Sequence, residues 1–459
     1  MSSQKAPVIV VGSGLAGLTA TYKLLQSKTP VILLEKLDKF GGNSIKASSG
    51  INGVLTSSQL AQSIPDTPEL FLNDTIKSGK GLGDLVLQQR LVDDSQRAIT
   101  WLQEEIKCPL NVVNRLGGHS ERRTHRSDGI PPGFEIISKL QKAIMALNET
   151  NGGGLEVKFD SKLISIDKSS EGKIIGLNYL NMKDNTETYL QTSNLIIATG
   201  GFGFSKQLLQ KYNPDLVSMP TTNGAQTLGE GQELIESIGG KLINMDQVQV
   251  HPTGFIKQDD PENNWKFLAA ESLRGIGGIL LNEKFERFVN EVGTRDFVSG
   301  EVMKQKGKKA YLVLNQDMYG ELGFQIEFYM KMNLIKKTTI GEMFGDSKEE
   351  VKKLLVEYSS GQADQFGRAH KQHIFKQVAD DTVIYVGEIT PVVHFTMGGV
   401  KINEHGQVYN LEDKIIDGLY AIGEVSGGVH GANRLGGNSL LECVVFGSRA
   451  AESVLQGKL

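Results

Sequence analysis

The strongest constraint on the fold is a glycine-rich loop between two short apolar runs near the start of the chain. The first run, Val8 to Val11, is entirely β-branched and predicts a strand buried on both faces of a parallel sheet. The loop Gly12-Ser13-Gly14-Leu15-Ala16-Gly17 follows it and leads into a helical pattern from Leu18 to Leu25. A second run, Val31 to Leu34, ends in Glu35. This order predicts a βαβ unit that binds a dinucleotide, because the glycines let backbone N–H groups approach a pyrophosphate and the acid suits the ribose hydroxyls.

Two later apolar runs end on small residues in the same way and extend this sheet. They are Leu195-Ile196-Ile197-Ala198-Thr199-Gly200-Gly201 and Gly418-Leu419-Tyr420-Ala421-Ile422-Gly423-Glu424. Because the runs are far apart in the chain, we expect a discontinuous cofactor domain made of residues 1–245 and 396–459, with residues 246–395 inserted as a second domain. The predicted fold class is α/β, a Rossmann-like parallel sheet with helices that carries an inserted α+β capping domain.

Two further patterns predict local structure outside these landmarks. The alternating segments Leu155 to Ile166 and Ile174 to Leu180 predict a hairpin appended to the sheet. The segment Gly341 to Ser359 predicts a helix inside the inserted domain.

Composition excludes several classes of protein. The chain has 459 residues with 49 basic and 53 acidic side chains, and the net charge of −4 argues against a nucleic-acid partner and against a polybasic membrane-docking surface. No apolar run approaches the roughly 18 residues that span a bilayer, so we expect a soluble chain without a membrane anchor. The 2 cysteines cannot form a disulfide framework, which favours the cytoplasm, or a mitochondrion or other organelle if a leader is missing from this sequence.

Glycine is in excess, at 53 residues, and many glycines cluster in loops that suit a long, flat ligand. The loops near the second strand contain Glu35-Lys36, Gly41-Gly42-Asn43-Ser44 and Ser48-Ser49-Gly50-Ile51-Asn52. FAD fits such a surface better than NAD does. Near the C-terminus, Asn438-Ser439-Leu440-Leu441 follows a glycine turn and predicts a helix capped by Asn438 or Ser439. The N-terminus of that helix would stabilise the anion of a reduced flavin.

Several long ungapped strings carry a resemblance to one family. They are Gly117-Gly118-His119-Ser120 with Thr124-His125-Arg126, Gln249-Val250-His251-Pro252-Thr253, Asn290-Glu291 with Thr294-Arg295-Asp296, His394-Phe395-Thr396-Met397-Gly398-Gly399, and Gly427-Gly428-Val429-His430-Gly431-Ala432-Asn433-Arg434-Leu435-Gly436-Gly437. Over essentially its whole length, the chain resembles the flavoproteins of fumarate reductases and succinate dehydrogenases. It is most similar to the soluble fumarate reductases that work without iron–sulfur or quinone subunits.

The resemblance implies an FAD enzyme that reduces fumarate to succinate. Reduction of a C=C bond needs the substrate pinned over the flavin, a polarised double bond and an acid on the opposite face. By resemblance, Arg434 and His394 hold one carboxylate of the substrate, and His251 holds the other. Arg295 would deliver the proton.

The same resemblance implies a proton relay behind Arg295. Because the pKa of arginine ordinarily lies above about 12, an arginine that donates a proton must be reprotonated at once. Glu271 and Arg274, three apart on one predicted helical turn, match the family's relay from solvent.

Some departures from the family pattern are informative. Family members that attach FAD covalently have a histidine at the position where this chain has Asn43, so we expect non-covalent FAD. Where bacterial relatives have Met and Thr before the relay glutamate, this chain has Leu268 and Ala270. The chain has no haem motif and too few cysteines for an iron–sulfur cluster, so electrons must come from outside, from reduced free flavin or a flavin reductase. His370 and His373 have metal-compatible spacing, but no further ligand completes a site, so no metal is expected.

The sequence leaves other functions open. The same scaffold serves an L-aspartate oxidase or a reductase of another 2-enoate such as urocanate or methacrylate. A non-catalytic binding subunit, analogous to the flavoprotein component of a membrane complex, is a third interpretation. The oligomeric state also stays open.

Overall fold

The computed structural model describes residues 6–360, 363–369 and 372–457 of the chain. The strands are β1 Val8–Val11, β2 Val31–Leu34, β3 Ile51–Asn52, β4 Val112–Asn114, β5 Thr124–Arg126, β6 Leu155–Lys158, β7 Ser161–Lys168, β8 Ile174–Asn181, β9 Thr186–Gln191, β10 Leu195–Ile197, β11 Leu242–Ile243, β12 Val248–Phe255, β13 Phe267–Leu268, β14 Ile279–Leu281, β15 Ala310–Asn315, β16 Lys336–Thr339, β17 Val383–Thr396, β18 Gly399–Lys401, β19 Gln407–Tyr409, β20 Ile415–Ala421 and β21 Ser426–Gly427. The α-helices are α1 Leu15–Gln26, α2 Ser57–Ala61, α3 Pro68–Ser78, α4 Leu85–Asp93, α5 Ser95–Glu104, α6 Pro132–Thr150, α7 Lys206–Tyr212, α8 Glu230–Ser237, α9 Glu271–Gly275, α10 Arg295–Met303, α11 Gln316–Lys331, α12 Ile340–Phe344, α13 Lys348–Tyr358 and α14 Asn438–Gln456.

The central sheet has the strand order β19-β20-β10-β1-β2-β6. Every neighbouring pair from β20 to β6 is parallel, and β19 pairs with β20 in the antiparallel sense. The expected βαβ unit and both later strands are confirmed, and the fold is α/β. Helix α1 begins at Leu15 rather than at Leu18, because the chain needs only Gly12 to Gly14 to turn from the strand into the helix.

The expected hairpin is wrong in one respect. Its first half divides into β6, a parallel edge strand beside β2, and β7, which pairs with β8 in a separate antiparallel sheet with β9. The break falls at Asp160, whose φ of 52° lies in the left-handed region. Alternation predicted extended structure correctly, but it does not indicate which strand becomes the partner.

The inserted segment forms its own antiparallel sheet, with the order β13-β12-β17-β15-β14 and β16 paired to β17. The single helix predicted over 341–359 is instead two helices, α12 and α13. Gly345 interrupts it with a φ of 50°, a conformation that a continuing helix cannot contain.

Two hydrophobic cores underlie this architecture. One contains buried residues between 8 and 235 and again between 400 and 454, and the other lies wholly within residues 255–389. On this packing we propose the same division as before, a cofactor domain in two pieces and a capping domain over residues 246–395.

Three further features concern membrane-spanning helices, the two cysteines and the pair His370 and His373. Among the residues that the structure describes, no helix is long and apolar enough to cross a bilayer. Cys108 and Cys443 are both free. The His373 Nε2 atom lies 2.7 Å from Oε2 of Glu321, and His370 lies outside the described residues.

Candidate active site

A cavity of about 640 Å³ lies where the cofactor domain meets the capping domain. Its walls include the residues that directly follow β1, β2, β10 and β20, so it opens at the carboxyl ends of four neighbouring parallel strands. Ligands of open α/β sheets bind at this edge. The cavity therefore lies where the parallel arrangement of β1, β2, β10 and β20 brings their carboxyl ends together.

The backbone beside β1 is shaped for a pyrophosphate. Gly12 has a φ of 103°, and a Cβ atom there would lie 2.3 Å from the carbonyl oxygen of Ala198. Helix α1 begins after Gly14, which offers no side-chain cap. The backbone N–H of Leu15 donates to the Ser44 hydroxyl at 3.1 Å, and the remaining N–H groups of the first turn are suited to an anion. Glu35 lines the cavity nearby and accepts hydrogen bonds from the backbone N–H and the hydroxyl of Ser13, at 2.8 and 2.5 Å.

The cavity wall also has unpaired polar atoms. The hydroxyls of Ser48 and Thr199 are buried, line the cavity and have no hydrogen-bond partner among the described residues. Burial raises the pKa of Glu424, another lining residue, to about 7, so its carboxyl can donate or accept a hydrogen bond near neutrality. Buried polar groups are rarely left unpaired, so these atoms are suited to a ligand.

Helix α14 also directs its N-terminus at this cavity, but the expected cap is wrong. Gly437 is the residue before the helix, its φ is 82°, and no side-chain cap is formed. The Asn438 carboxamide is instead engaged by Asn52 at 2.7 Å and by Thr75 at 3.3 Å. Ser439 lines the cavity. The uncapped turn leaves the N–H groups of α14 available to a ligand.

Most of the expected cofactor residues line the cavity: Gly12, Ser13, Gly14, Leu15, Ala16, Glu35, Lys36, Gly42, Asn43, Ser44, Ser48, Ser49, Gly50, Thr199, Gly200, Gly423, Glu424, Ser439 and Leu440. The others lie behind it: Gly17, Gly41, Ile51, Asn52, Gly201, Asn438 and Leu441. They shape the walls instead. A Cβ atom at Gly17 would lie 1.9 Å from the carbonyl oxygen of Gly12, and Asn52 donates a 2.7 Å hydrogen bond to the carbonyl of Gly436.

A buried ion pair between Arg295 and Glu271 lies in the segment proposed as the capping domain. Arg295 donates from Nε to Oε2 of Glu271 at 2.7 Å, and its Nη2 atom lies 2.6 Å from the same oxygen. The other oxygen of Glu271 accepts the backbone N–H of Gly117 at 2.8 Å. Burial alone would raise the pKa of Glu271, but the charges of Arg295 and Arg274 outweigh burial and lower it. Glu271 is therefore an ionised carboxylate that is hydrogen-bonded to Arg295.

Two histidines lie beside this pair, with ring centroids 5.1 Å apart. Burial, followed by the charge of Arg295, holds the pKa of both His251 and His394 well below its ordinary value, so both rings are neutral. The Nδ1 atom of His251 accepts the backbone N–H of Thr253 at 3.2 Å, which puts the ring proton on Nε2. That Nε2 atom is buried without a partner. The Nε2 atom lies 3.9 Å from Oε2 of Glu271, and His251, unlike His394, is not among the residues that line the cavity.

Arg434 is a buried cation without a counterion in contact. Its guanidinium carbon lies 4.4 Å from the ring centroid of Phe395, and its Nε atom has no hydrogen-bond partner among the described residues. Burial and the charge of Arg295 lower the pKa of Arg434 to about 9. Both Arg295 and Arg434 line the cavity. Among the described residues no carboxylate is in contact with the Arg434 guanidinium, although Glu271, Glu424 and Glu442 act on it from farther away, so this region is suited to a bound anion.

The outer part of the expected relay differs from the prediction. Glu271 and Arg274 share helix α9 as expected, but no hydrogen bond joins their side chains in the described structure. Arg274 is 1% exposed and donates from Nη1 to the carbonyl oxygen of Glu291. Arg274 is therefore buried, whereas the sequence predicted that it connects Glu271 to solvent.

Two contributors to the site were not predicted. Gln249 accepts a 2.8 Å hydrogen bond from Nη1 of Arg295 and donates to the carbonyl of Arg434 at 2.8 Å and to Asn433 at 3.0 Å. It stands in one of the strings that carry the resemblance, two residues before His251, and that position was the available signal. Cys443, on α14, lines the cavity.

The chain is similar to known proteins over nearly its whole length. The family model described as "FAD binding domain" matches residues 7–440. The chain is 48% identical to fumarate reductase 1 of Saccharomyces cerevisiae, over 98% of both sequences. It is 37% identical to the fumarate reductase of Schizosaccharomyces pombe, over 98% of this chain and 90% of that protein.

The fold matches a solved structure of similar chemistry. The open conformation of a flavocytochrome c3 fumarate reductase superposes with a TM-score of 0.77 and 31% identity, covering 100% of this chain and 79% of that one. The whole of the present chain thus has a counterpart in that structure.

Proposed function

The chain belongs to the fumarate reductase family of FAD-binding flavoproteins, and from this we propose that it reduces fumarate to succinate. It is an FAD-dependent oxidoreductase that acts on a CH–CH bond. The observation that carries the choice of a dicarboxylate is a pair of buried donors without a hydrogen-bond partner among the described residues. They are Nε of Arg434, which lines the cavity, and Nε2 of His251, which lies 3.9 Å from Oε2 of Glu271.

The residues lining the cavity fit FAD. The glycine backbone and the N-terminus of α1 would hold the pyrophosphate, and Glu35 would accept from ribose hydroxyls. Ser48 and the N-terminus of α14 would pair with the flavin end, and Thr199, next to the Gly12 loop, with the part of FAD that lies over that loop. When bound, FAD supplies the hydride from its reduced ring.

The protein side chains hold and polarise the substrate. Arg434 and His394 would bind one carboxylate, because guanidinium and imidazole donors together satisfy a carboxylate directionally. His251 would donate from Nε2 to the other carboxylate. Since His251 and His394 are neutral, they add hydrogen bonds without adding charge, and the arginines supply the positive charge that polarises the double bond.

Arg295 would deliver the proton to the substrate carbon opposite the hydride. Arg274 lies one helical turn from Glu271 and would protonate that carboxylate. Glu271, hydrogen-bonded to Arg295 at 2.7 Å, would pass this proton to Arg295 after Arg295 has given its own to the substrate. A proton from solvent would then restore Arg274.

Gln249 is expected to set the orientation of Arg295. In a Gln249→Leu variant the Nη1 atom of Arg295 loses its acceptor, so the guanidinium can rotate away from the reacting carbon. We expect turnover of fumarate to fall by roughly tenfold to a hundredfold, with a smaller change in KM, as misplacing a catalytic group by about an ångström does. Gln247→Leu is the matched control, since that side chain contacts only the exposed Asp246. Equal turnover in the two variants would remove this role from Gln249.

We propose that FAD is held non-covalently. At the position where covalent relatives have histidine, the amide of Asn43 donates to Asn223 at 2.9 Å and accepts the backbone N–H of Gly224 at 3.0 Å. An amide nitrogen is not a nucleophile, so it cannot attack the flavin methyl group. Precipitation in hot acid is expected to release all the flavin into the supernatant, and yellow colour remaining with the pellet would contradict the proposal.

The electron donor is proposed to be a reduced free flavin or a flavin reductase. Among the described residues, no group of three or more His, Cys, Asp or Glu side chains could hold a metal ion, and both cysteines are free. The proposal rests on the sequence, which has no haem motif and only 2 cysteines, too few for an iron–sulfur cluster.

Substrate comparison tests the proposed function against its alternatives. With reduced viologen as the donor, fumarate should be turned over far faster than urocanate or methacrylate, because only fumarate offers carboxylates to both Arg434 and His251. L-aspartate with oxygen should yield no oxaloacetate. Faster turnover of a monocarboxylate enoate, or oxidation of aspartate, would replace this assignment with one of those activities.

A further inference from the structure

A buried ion cluster covers the outer end of the proposed proton relay. It consists of Arg274, Arg287 and Arg368 around the carboxylates of Glu291 and Asp364. Arg368 and Glu291 are both 0% exposed, although Arg368 comes from the loop after α13, far along the chain from the relay. Burial of so many charges is costly unless each is paired, so their arrangement needs an explanation.

Arg368 makes the central contacts of the cluster. Its Nη1 atom donates to Oε2 of Glu291 at 2.8 Å and to the carbonyl of Gly278 at 2.9 Å. Its Nη2 atom donates to the carbonyl oxygen of Arg274 at 2.7 Å. Asp364 fixes the loop in turn, because its Oδ1 atom accepts the backbone N–H of Arg368 at 3.1 Å.

Arg287 completes the cluster without touching the relay. It donates to both oxygens of Glu291, at 2.8 and 2.7 Å, and to Asp364 at 2.6 Å. No hydrogen bond joins Arg287 to Arg274 in the described structure. Arg287 and Arg368 therefore share the same two carboxylates, but only Arg368 also holds Arg274.

Arg274 depends on this support. The residue is 1% exposed, and its Nε and Nη2 atoms have no partner among the described residues. Burial, with the charges of Arg295 and Arg368, lowers the pKa of Arg274 to about 10, while Glu271 and Glu291 act in the opposite sense. The surroundings thus make Arg274 a better proton donor than an ordinary arginine.

We propose that Arg368 is a positioning residue for proton delivery, which fixes the main chain of Arg274 and faces it with a second positive charge so that Arg274 can hand its proton to Glu271. This inference rests on the proposed function. In each turnover an N–H bond of Arg295 breaks as the substrate carbon gains its proton. Glu271 then passes a proton to Arg295, Arg274 passes one to Glu271, and a proton from solvent restores Arg274.

The test compares Arg368→Gln and Arg368→Lys with the matched control Arg287→Lys. We expect Arg368→Gln to keep its FAD spectrum and the KM for fumarate, but to lower kcat by about tenfold to a hundredfold. The solvent deuterium isotope effect on kcat should increase, because proton transfer becomes rate-limiting. Arg368→Lys, which keeps the charge but cannot make all three hydrogen bonds at once, should lie between that variant and the unmodified enzyme.

The control separates positioning from simple stability. Arg287→Lys disturbs the same carboxylates, so it should lower thermal stability while kcat and the isotope effect stay near their original values. Unchanged kcat and isotope effect in both Arg368 variants, or an equal loss in Arg287→Lys, would overturn the proposal. If the unmodified protein fails to reduce fumarate, the proposed function itself fails, which is a different result from an active enzyme that is insensitive to Arg368.

Discussion

Replacing Arg295 by alanine should abolish fumarate turnover while FAD stays bound. The substitution removes the proposed proton donor and leaves the Glu271 carboxylate with neither of its contacts at 2.6 and 2.7 Å. General acid catalysis contributes about a hundredfold to ten-thousandfold, so a loss in turnover of at least about a hundredfold is expected. The measurement is the steady-state rate of fumarate reduction, with the flavin absorbance recorded on the same sample.

A second substitution distinguishes loss of the proposed proton donor from misfolding of the protein. Breaking a buried ion pair costs about 3–5 kcal/mol, so Arg295→Lys, which retains the charge beside Glu271, is measured in parallel. It should fold, bind FAD and still turn over slowly, because lysine cannot reproduce the fork that contacts Glu271 and Gln249 together. Arg97→Ala, at an exposed surface pair, is the activity control. Normal turnover in a folded, yellow Arg295→Ala protein would remove Arg295 from the mechanism.

Gly12→Ala should yield a protein without FAD. The added Cβ atom would lie 2.3 Å from the carbonyl oxygen of Ala198, and alanine is strained at a φ of 103°. Both effects move the loop that presents backbone N–H groups to the pyrophosphate. The purified protein should be colourless, and adding FAD should restore neither the flavin spectrum nor activity.

Gly172→Ala separates the steric effect from backbone strain. Gly172 has a φ of 82°, close to the conformation of Gly12, but a Cβ atom there meets nothing within 4 Å. This variant should lose some thermal stability and keep its full flavin content. A Gly12→Ala protein with normal flavin content would show that this loop does not hold the cofactor.

Predictions from the sequence were most accurate where the structure depends on residues that are close together in the chain. The run Val8 to Val11, the glycine loop and Glu35 define strand, turn and ligand edge locally, and all three are found in the expected places. The helix that carries Glu271 and Arg274 was predicted for the same reason, since a single turn places residues three apart on one side.

Prediction failed where distant segments meet. Nothing near Asn438 indicates that its side chain is taken by Asn52 and Thr75, so the local capping rule gave the wrong residue. Nothing near Arg274 indicates that Arg368, 94 residues later, encloses it. The parallel pairing of β6 with β2 was missed because strand pattern does not specify the partner.

The most direct test of the account is anaerobic. The purified protein is reduced with dithionite, fumarate is added, and the flavin absorbance is followed while succinate is assayed. We predict rapid reoxidation of the flavin with one succinate formed for each flavin reoxidised. A flavin that stays reduced in fumarate, yet is reoxidised by another enoate or by oxygen, would contradict the assignment of fumarate as the substrate.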